Sequence, residues 1–182
     1  LAATQGHANA QANLGIMHRN GEGAPQDFAE ARRLFGLAAA QGHANAQYNL
    51  GSMHDNGQGG SQDFAEARRL YSLAAEQGHV EAQYSLGCMH DRGDGGPQDY
   101  AEARRLYGLA AARGHAIAQY NFAIMHYEGQ GGLQDFEEAR RQFGLAATQG
   151  HAGAQFTLGL MHDRGEGGPE DHAEARRLYS LA

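Results

Sequence analysis

Apolar and polar residues along this chain fall at the spacing of buried helix faces, and the whole pattern recurs every 36 residues. In the first block Ala10, Leu14 and Met17 stand at i, i+4 and i+7, one face of a helix (helix A) running from about Ala8 to Arg19. The segment Asn20-Gly21-Glu22-Gly23-Ala24-Pro25 ends it, because glycine reaches positive φ and proline cannot continue a helix. A second apolar set, Phe28, Ala31, Leu34, Phe35, Leu37 and Ala38, predicts helix B. Asp27 followed three residues later by Glu30 reads as an acidic capping box at its start. The Asp carboxylate accepts from the N2 or N3 amide and the Glu reaches back. Gly42 closes helix B as its C′ residue, and His43 opens the next block.

The same reading holds for five blocks, beginning at Gly6, Gly42, Gly78, Gly114 and Gly150, without insertion or deletion. A fixed period of this length predicts a stack of helix pairs, none of which buries its apolar face alone. The expectation is one elongated domain over residues 1–182, with repeats at 6–41, 42–77, 78–113, 114–149 and 150–182. Leu1-Ala2-Ala3-Thr4-Gln5 matches the repeat tail Leu145-Ala146-Ala147-Thr148-Gln149, so a fragment of a longer array is expected. Gly15, Gly51, Gly87 and Gly159 lie in mid-helix, where glycine costs about 1 kcal/mol against alanine, and Ala123 fills the fifth place. A costly residue repeated at one position points to close helix packing.

The order Ala-x-Ala-Gln-x-x-Leu-Gly-x-Met, then Gly-x-Gly, Pro-Gln-Asp and Ala-Ala-x-Gln-Gly resembles Sel1-like repeats, relatives of tetratricopeptide repeats, over essentially the whole chain. The resemblance implies an all-α fold, a right-handed superhelical solenoid of antiparallel helix pairs. It also implies an interaction scaffold or adaptor, with no activity shared across the family. The chain departs from the family at His18, His54, His90, His126 and His162, where an aromatic is common. Ala24 or a third glycine stands where Val is frequent, and Leu34, Leu70, Leu106, Gln142 and Leu178 stand where Trp is frequent. The cysteines of the family's disulfide-bonded secreted branch are missing.

Composition narrows the partners. The net charge is -7 and every one of the fourteen basic residues is arginine, a poor match for nucleic acid or an anionic lipid surface. No apolar run reaches the ~18 residues of a membrane span, so no membrane insertion is expected. The single cysteine, Cys88, excludes an intramolecular disulfide and favours an intracellular location.

Repetition separates stacking positions from free ones. The positions of helix A that change between repeats form one stripe, Asn9, Asn13, Ile16 and Asn20 in the first repeat. By analogy with other helical-hairpin solenoids this stripe is placed in a groove that binds a peptide or partner protein. The candidate partner-binding residues are Asn9, Asn13, Asn45, Asn49, Ser85, Ile117, Asn121, Ile124, Tyr127 and Thr157. Asparagine amides both donate to and accept from a peptide backbone. In the fourth repeat Ile117, Ile124, Tyr127 and Leu133 are expected to form an apolar patch, the alternative being core repacking around Phe122.

No cofactor, metal or catalytic residue is expected. The histidine ladders, His7/His43/His79/His115/His151 and His18/His54/His90/His126/His162, are separated by roughly 16 Å within a repeat. Zinc needs its ligands at ~2.0 to 2.3 Å from one centre. The acidic spacing of Asp91, Asp94 and Asp99 does not match an EF-hand loop, and Gly21-Glu22-Gly23 lacks the strand and Lys-Ser/Thr of a phosphate loop. Cys88 and His90 point in different directions on a helix. The arginine pairs, such as Arg32/Arg33 with Glu30, read as a solvated, salt-bridged outer face. The leading reading is a non-enzymatic scaffold. The alternatives are an assembly subunit that contacts partners through the array ends or the helix B face, and, remotely, a hydrolase or metal-dependent enzyme.

Overall fold

Residues 6–182 are described by a computed structural model of the protein. Leu1 to Gln5, matched above to a repeat tail, lie outside the described residues. The described chain is helical, with no strand. The helix A members are α1 (Ala8–Asn20), α3 (Ala44–Asp55), α5 (Val80–Arg92), α7 (Ala116–Glu128) and α9 (Ala152–Arg164). The helix B members are α2 (Phe28–Ala39), α4 (Phe64–Glu76), α6 (Tyr100–Ala112), α8 (Phe136–Thr148) and α10 (His172–Tyr179).

Each kind of helix has its own cap. Asp27, Asp63, Asp99, Asp135 and Asp171 accept from the amide three residues on, at 2.9 to 3.0 Å. The second half of the expected capping box does not form. The Asp27 amide already donates to the His18 carbonyl at 2.9 Å, and both Glu30 oxygens are held by Arg33 at 2.7 Å. In α3, α5, α7 and α9 the cap is histidine. Nδ1 of His43, His79, His115 and His151 accepts the amide three residues on, at 3.1 to 3.2 Å.

The chain divides into two compact bodies, one ending at Gln98 and the other beginning at Asp99, the cap of α6. In the N-terminal body α1 packs on α2 and α3 on α4, with α2 on α3 and α4 on α5. Its core is Ala12, Ala31, Phe35, Ala38, Ala46, Leu50, Met53 and Leu70. In the C-terminal body α7 packs on α8, α9 on α10, α6 on α7 and α8 on α9. Equivalent positions build its core, including Ala139, Phe143, Ala146, Ala154, Leu158, Met161 and Leu178. Mid-helix glycine admits a ring of helix B. A methyl on Gly15 or Gly51 would sit 2.9 Å from the ring of Phe35 or Tyr71, and one on Gly159 2.7 Å from Tyr179.

The fourth repeat repacks this core. Phe122, in place of leucine, lies 3.2 Å from where a Gly108 methyl would stand, with its ring 4.5 Å edge-on from His126. Gln142, also in place of leucine, is 5% exposed. Its Nε2 donates to Glu138 at 2.8 Å, while Oε1 has no partner among the described residues. A buried acceptor without a donor is costly, so Gln142→Leu is expected to raise stability by about 1 to 3 kcal/mol. Urea midpoints of the two proteins check this.

Candidate functional site

The surface left for a partner is defined by what the seams between repeats use. At each described seam the first arginine of a helix B pair reaches the histidine near the end of the next helix A. Nη2 of Arg32 lies 2.9 Å from Nδ1 and 3.2 Å from Nε2 of His54. Arg68 on His90 and Arg104 on His126 repeat this at 2.8 and 3.3 Å, and Arg140 lies 2.8 Å from Nδ1 of His162. An atom in the ring plane this close to both nitrogens would collide with Cε1. The guanidiniums of Arg32, Arg68 and Arg104 therefore lie over the imidazole faces, an arrangement suited to arginine's planar cation.

The same arginines donate to loop carbonyls of the next repeat, at 3.3 Å to Pro97, 3.1 Å to Leu133 and 3.1 Å to Pro169. A Cβ on Gly60, Gly96, Gly132 or Gly168 would meet the guanidinium, which would have to shift from its seam position. Only half of the expected outer arginine face is thus correct. Arg33, Arg69, Arg105, Arg141 and Arg177 are exposed and fork onto glutamate, while the preceding arginines of the first four pairs are seam residues.

Buried glutamines make a second staple, one not among the residues expected from the sequence. Nε2 of Gln47, Gln83, Gln119 and Gln155 donates to the last-turn carbonyls of the preceding helix B, Ala39, Ala75, Ala111 and Ala147, at 3.1 to 3.3 Å. Tyr48 stacks on His79 at 4.7 Å and Tyr120 on His151 at 4.4 Å. The available signal was an unchanging polar residue on an otherwise apolar face.

The variable stripe divides into an open edge and a packed interior. Asn9, Asn13 and Asn45 are exposed, and Ile117 is 46% exposed. Ser85, Asn121 and Thr157 are half-buried, and Thr157 turns its hydroxyl to the Gly153 carbonyl at 2.9 Å. Asn49 is buried and already engaged. Its Oδ1 accepts from Arg19 and its Nδ2 donates to the Asn45 carbonyl, both at 2.7 Å. The apolar patch expected in the fourth repeat is not assembled. Ile124 and Tyr127 pack against the C-terminal core, and the Tyr127 hydroxyl donates to Glu166 at 3.0 Å. Leu133, 89% exposed, lies past the far end of α7 from Ile117.

Electrostatic perturbation follows the seams and pairs. Hydrogen bonds from Arg69 and Arg141 hold the Glu66 and Glu138 carboxyls below the usual carboxylate range. Burial, then the neighbouring guanidinium, pushes His54, His126 and His162 below the ordinary imidazole value. Burial raises both Asp55 and Tyr71, which meet at 3.4 Å between α3 and α4. Among the described residues no three His, Cys, Asp or Glu side chains gather where they could hold a metal ion. None of the described helices is long and apolar enough to cross a membrane. His172, which replaces the aromatic that opens the other B helices, is exposed and lies 2.9 Å from Asp163.

Helix pairs at a fixed period, stapled by the same residues at each seam and leaving one edge of helix A free, define an all-α repeat scaffold of the solenoid class. The Sel1 repeat model matches residues 8–43, 44–79, 80–115, 116–151 and 152–182, and the chain belongs to the Sel1 repeat family. Proteins built of these repeats are generally protein-interaction scaffolds and typically non-enzymatic. A protective antigen present in uropathogenic Escherichia coli strains, displaying an SLR fold, is similar at 36% identity and a TM-score of 0.96, over 99% of this chain. The chain spans 38% of that antigen's length. A Sel1 repeat protein from Oxalobacter formigenes is similar at 30% identity and a TM-score of 0.89, over 97% of this chain and 70% of its own. An immunity protein from Pseudomonas aeruginosa, at 20% identity and a TM-score of 0.55 over 99% of this chain and 69% of its own, shares the fold. No curated protein matches the chain.

Proposed function

We propose that the chain is a non-enzymatic scaffold that binds a peptide or partner protein along the exposed edge of its A helices. The observation that carries this reading is the set of exposed amides of Asn9, Asn13 and Asn45, which make no side-chain hydrogen bond among the described residues, beside constant positions that are engaged in the seams. Such amides pair with an extended backbone, and Ile117 on α7 offers an apolar contact of its own in the C-terminal body. Ser85, Asn121, Ile124, Tyr127 and Thr157 support this edge from below and are secondary contacts at most. Peptides selected on the chain from a random display library test the reading. Asn9→Arg with Asn45→Arg is expected to weaken their binding by about tenfold or more, while Arg33→Ala on the opposite helix leaves it unchanged. Equal losses from both sides would contradict it.

A second reading, an assembly subunit that uses the helix B face, is favoured by the exposed leucines Leu37, Leu109 and Leu145, which recur at one position of helix B. Loss of binding on Leu109→Ser, with Asn9 and Asn45 indifferent, would favour that reading.

A further inference from the structure

A histidine near the end of helix A sits at every described seam, and an imidazole titrates near neutrality. An arginine of the preceding helix B closes on each of His54, His126 and His162, at 2.8 to 2.9 Å from Nδ1, and lies over the ring face at His54 and His126. A neutral ring can lie under a guanidinium or accept from it, whereas an imidazolium offers no lone pair and repels the cation. The arginine has no easy retreat, because it also holds the loop carbonyl of Leu133 or Pro169 from the same position.

We propose that this imidazole ladder is a pH-sensitive device: neutral, it lets the arginines close the seams between repeats, and protonated in mildly acidic medium it loosens them. Other charges surround each ring. His54 faces Arg32 from α2, and Asp63, Glu66 and Arg69 from the start of α4. His126 faces Arg104 from α6, and Asp135, Glu138 and Arg141 from α8. His162 faces Arg140 from α8, and Asp171, Glu174 and Arg177 from α10. The carboxylates and the C-terminal end of helix A favour the imidazolium, but each glutamate is already forked onto its own arginine and the seam guanidinium is in contact with the ring. The net direction is downward at all three rings, with burial the leading cause.

The sign follows from linkage. The unfolded chain takes up protons at the ordinary imidazole value of about 6.5 and the folded chain only below it, so the seams are fully stable above pH ~6.5 and lose stability as the pH falls. The paired glutamates titrate under the ordinary carboxylate value of about 4.3, outside this window. Burial also pushes His79, whose Nδ1 accepts the Ala82 amide at 3.2 Å, below the ordinary imidazole value, and it acts in the same direction.

The test is urea unfolding of the intact chain between about pH 7.5 and 5, together with NMR titration of the histidine rings. The unfolding constant is expected to rise up to about tenfold per pH unit for each imidazole that stays neutral in the folded state, and to recover on return to neutral pH. The triple variant His54→Gln, His126→Gln, His162→Gln keeps an acceptor that does not titrate and is expected to flatten the slope by the share of three imidazoles. Should that variant not fold, the ring titrations of the unmodified chain decide alone. Unfolding constants independent of pH in this window, or seam imidazoles that titrate at or above the ordinary value, would overturn the proposal.

Discussion

Replacing Phe143 by alanine is expected to destabilise the C-terminal body by about 3 to 5 kcal/mol, the range for emptying an aromatic site in a closed core. The ring is fully buried in α8, edge-on to Tyr120 at 5.6 Å, and sits in the same cluster as Ala123 of α7 and Leu158 and Met161 of α9. Among the buried residues of that cluster Ala123, Ala139, Ala146, Ala147 and Ala154 have no side chain able to swing into the gap. Repeat arrays are stabilised by nearest neighbours, so the damage should stay local. Amide exchange is therefore expected to accelerate in α7, α8 and α9 while α3 keeps its protection. A loss below about 1 kcal/mol would mean that this ring does not anchor the repeat.

Gly167→Ala is the second large effect, and it acts through the backbone. Gly167 has φ 68, in the left-handed region, and a Cβ there would overlap the carbonyl oxygen of Phe136, the first residue of the preceding helix B. The left-handed conformation costs about 1 to 2 kcal/mol for an L-residue, and the overlap adds about 1 to 3 kcal/mol because neither partner is a flexible side chain. The expected loss is roughly 2 to 5 kcal/mol at the seam between α8 and α9, seen as a lower urea midpoint. Gly144→Ala serves as the control. Nothing stands within 4 Å of its added methyl, and in mid-helix the change is expected to stabilise by about 1 kcal/mol.

The fold was legible because the period, the glycine positions and the Asp caps are local signals that repeat five times. Gly15 and Gly51 pointed correctly to close packing, and the structure supplies the rings of Phe35 and Tyr71 as what comes close. The seam arginines were not legible. Arg32 and Arg33 are adjacent and identical in type, and only Arg33 has its partner within the same helix turn. The partner of Arg32, His54, lies 22 residues away in the next repeat, where no local spacing rule reaches. Asn49, expected at the partner edge, is withdrawn from it for the same reason: its amide oxygen accepts from Arg19, 30 residues upstream. Variation between repeats therefore marks tolerance, and exposure is needed to separate Asn9, Asn13, Asn45 and Ile117 from changing residues already used inside the stack.

Under the proposed function, partner contacts come from the open edge of helix A. A photo-cross-linking amino acid placed in turn at positions 45, 117, 33 and 109, in chains expressed in the native source, tests it most directly. One protein is expected to be captured from 45 or 117, displaced by excess unlabelled chain, and not captured from 33 or 109. Capture of that protein from 33 or 109 alone would contradict it and place the contact on helix B.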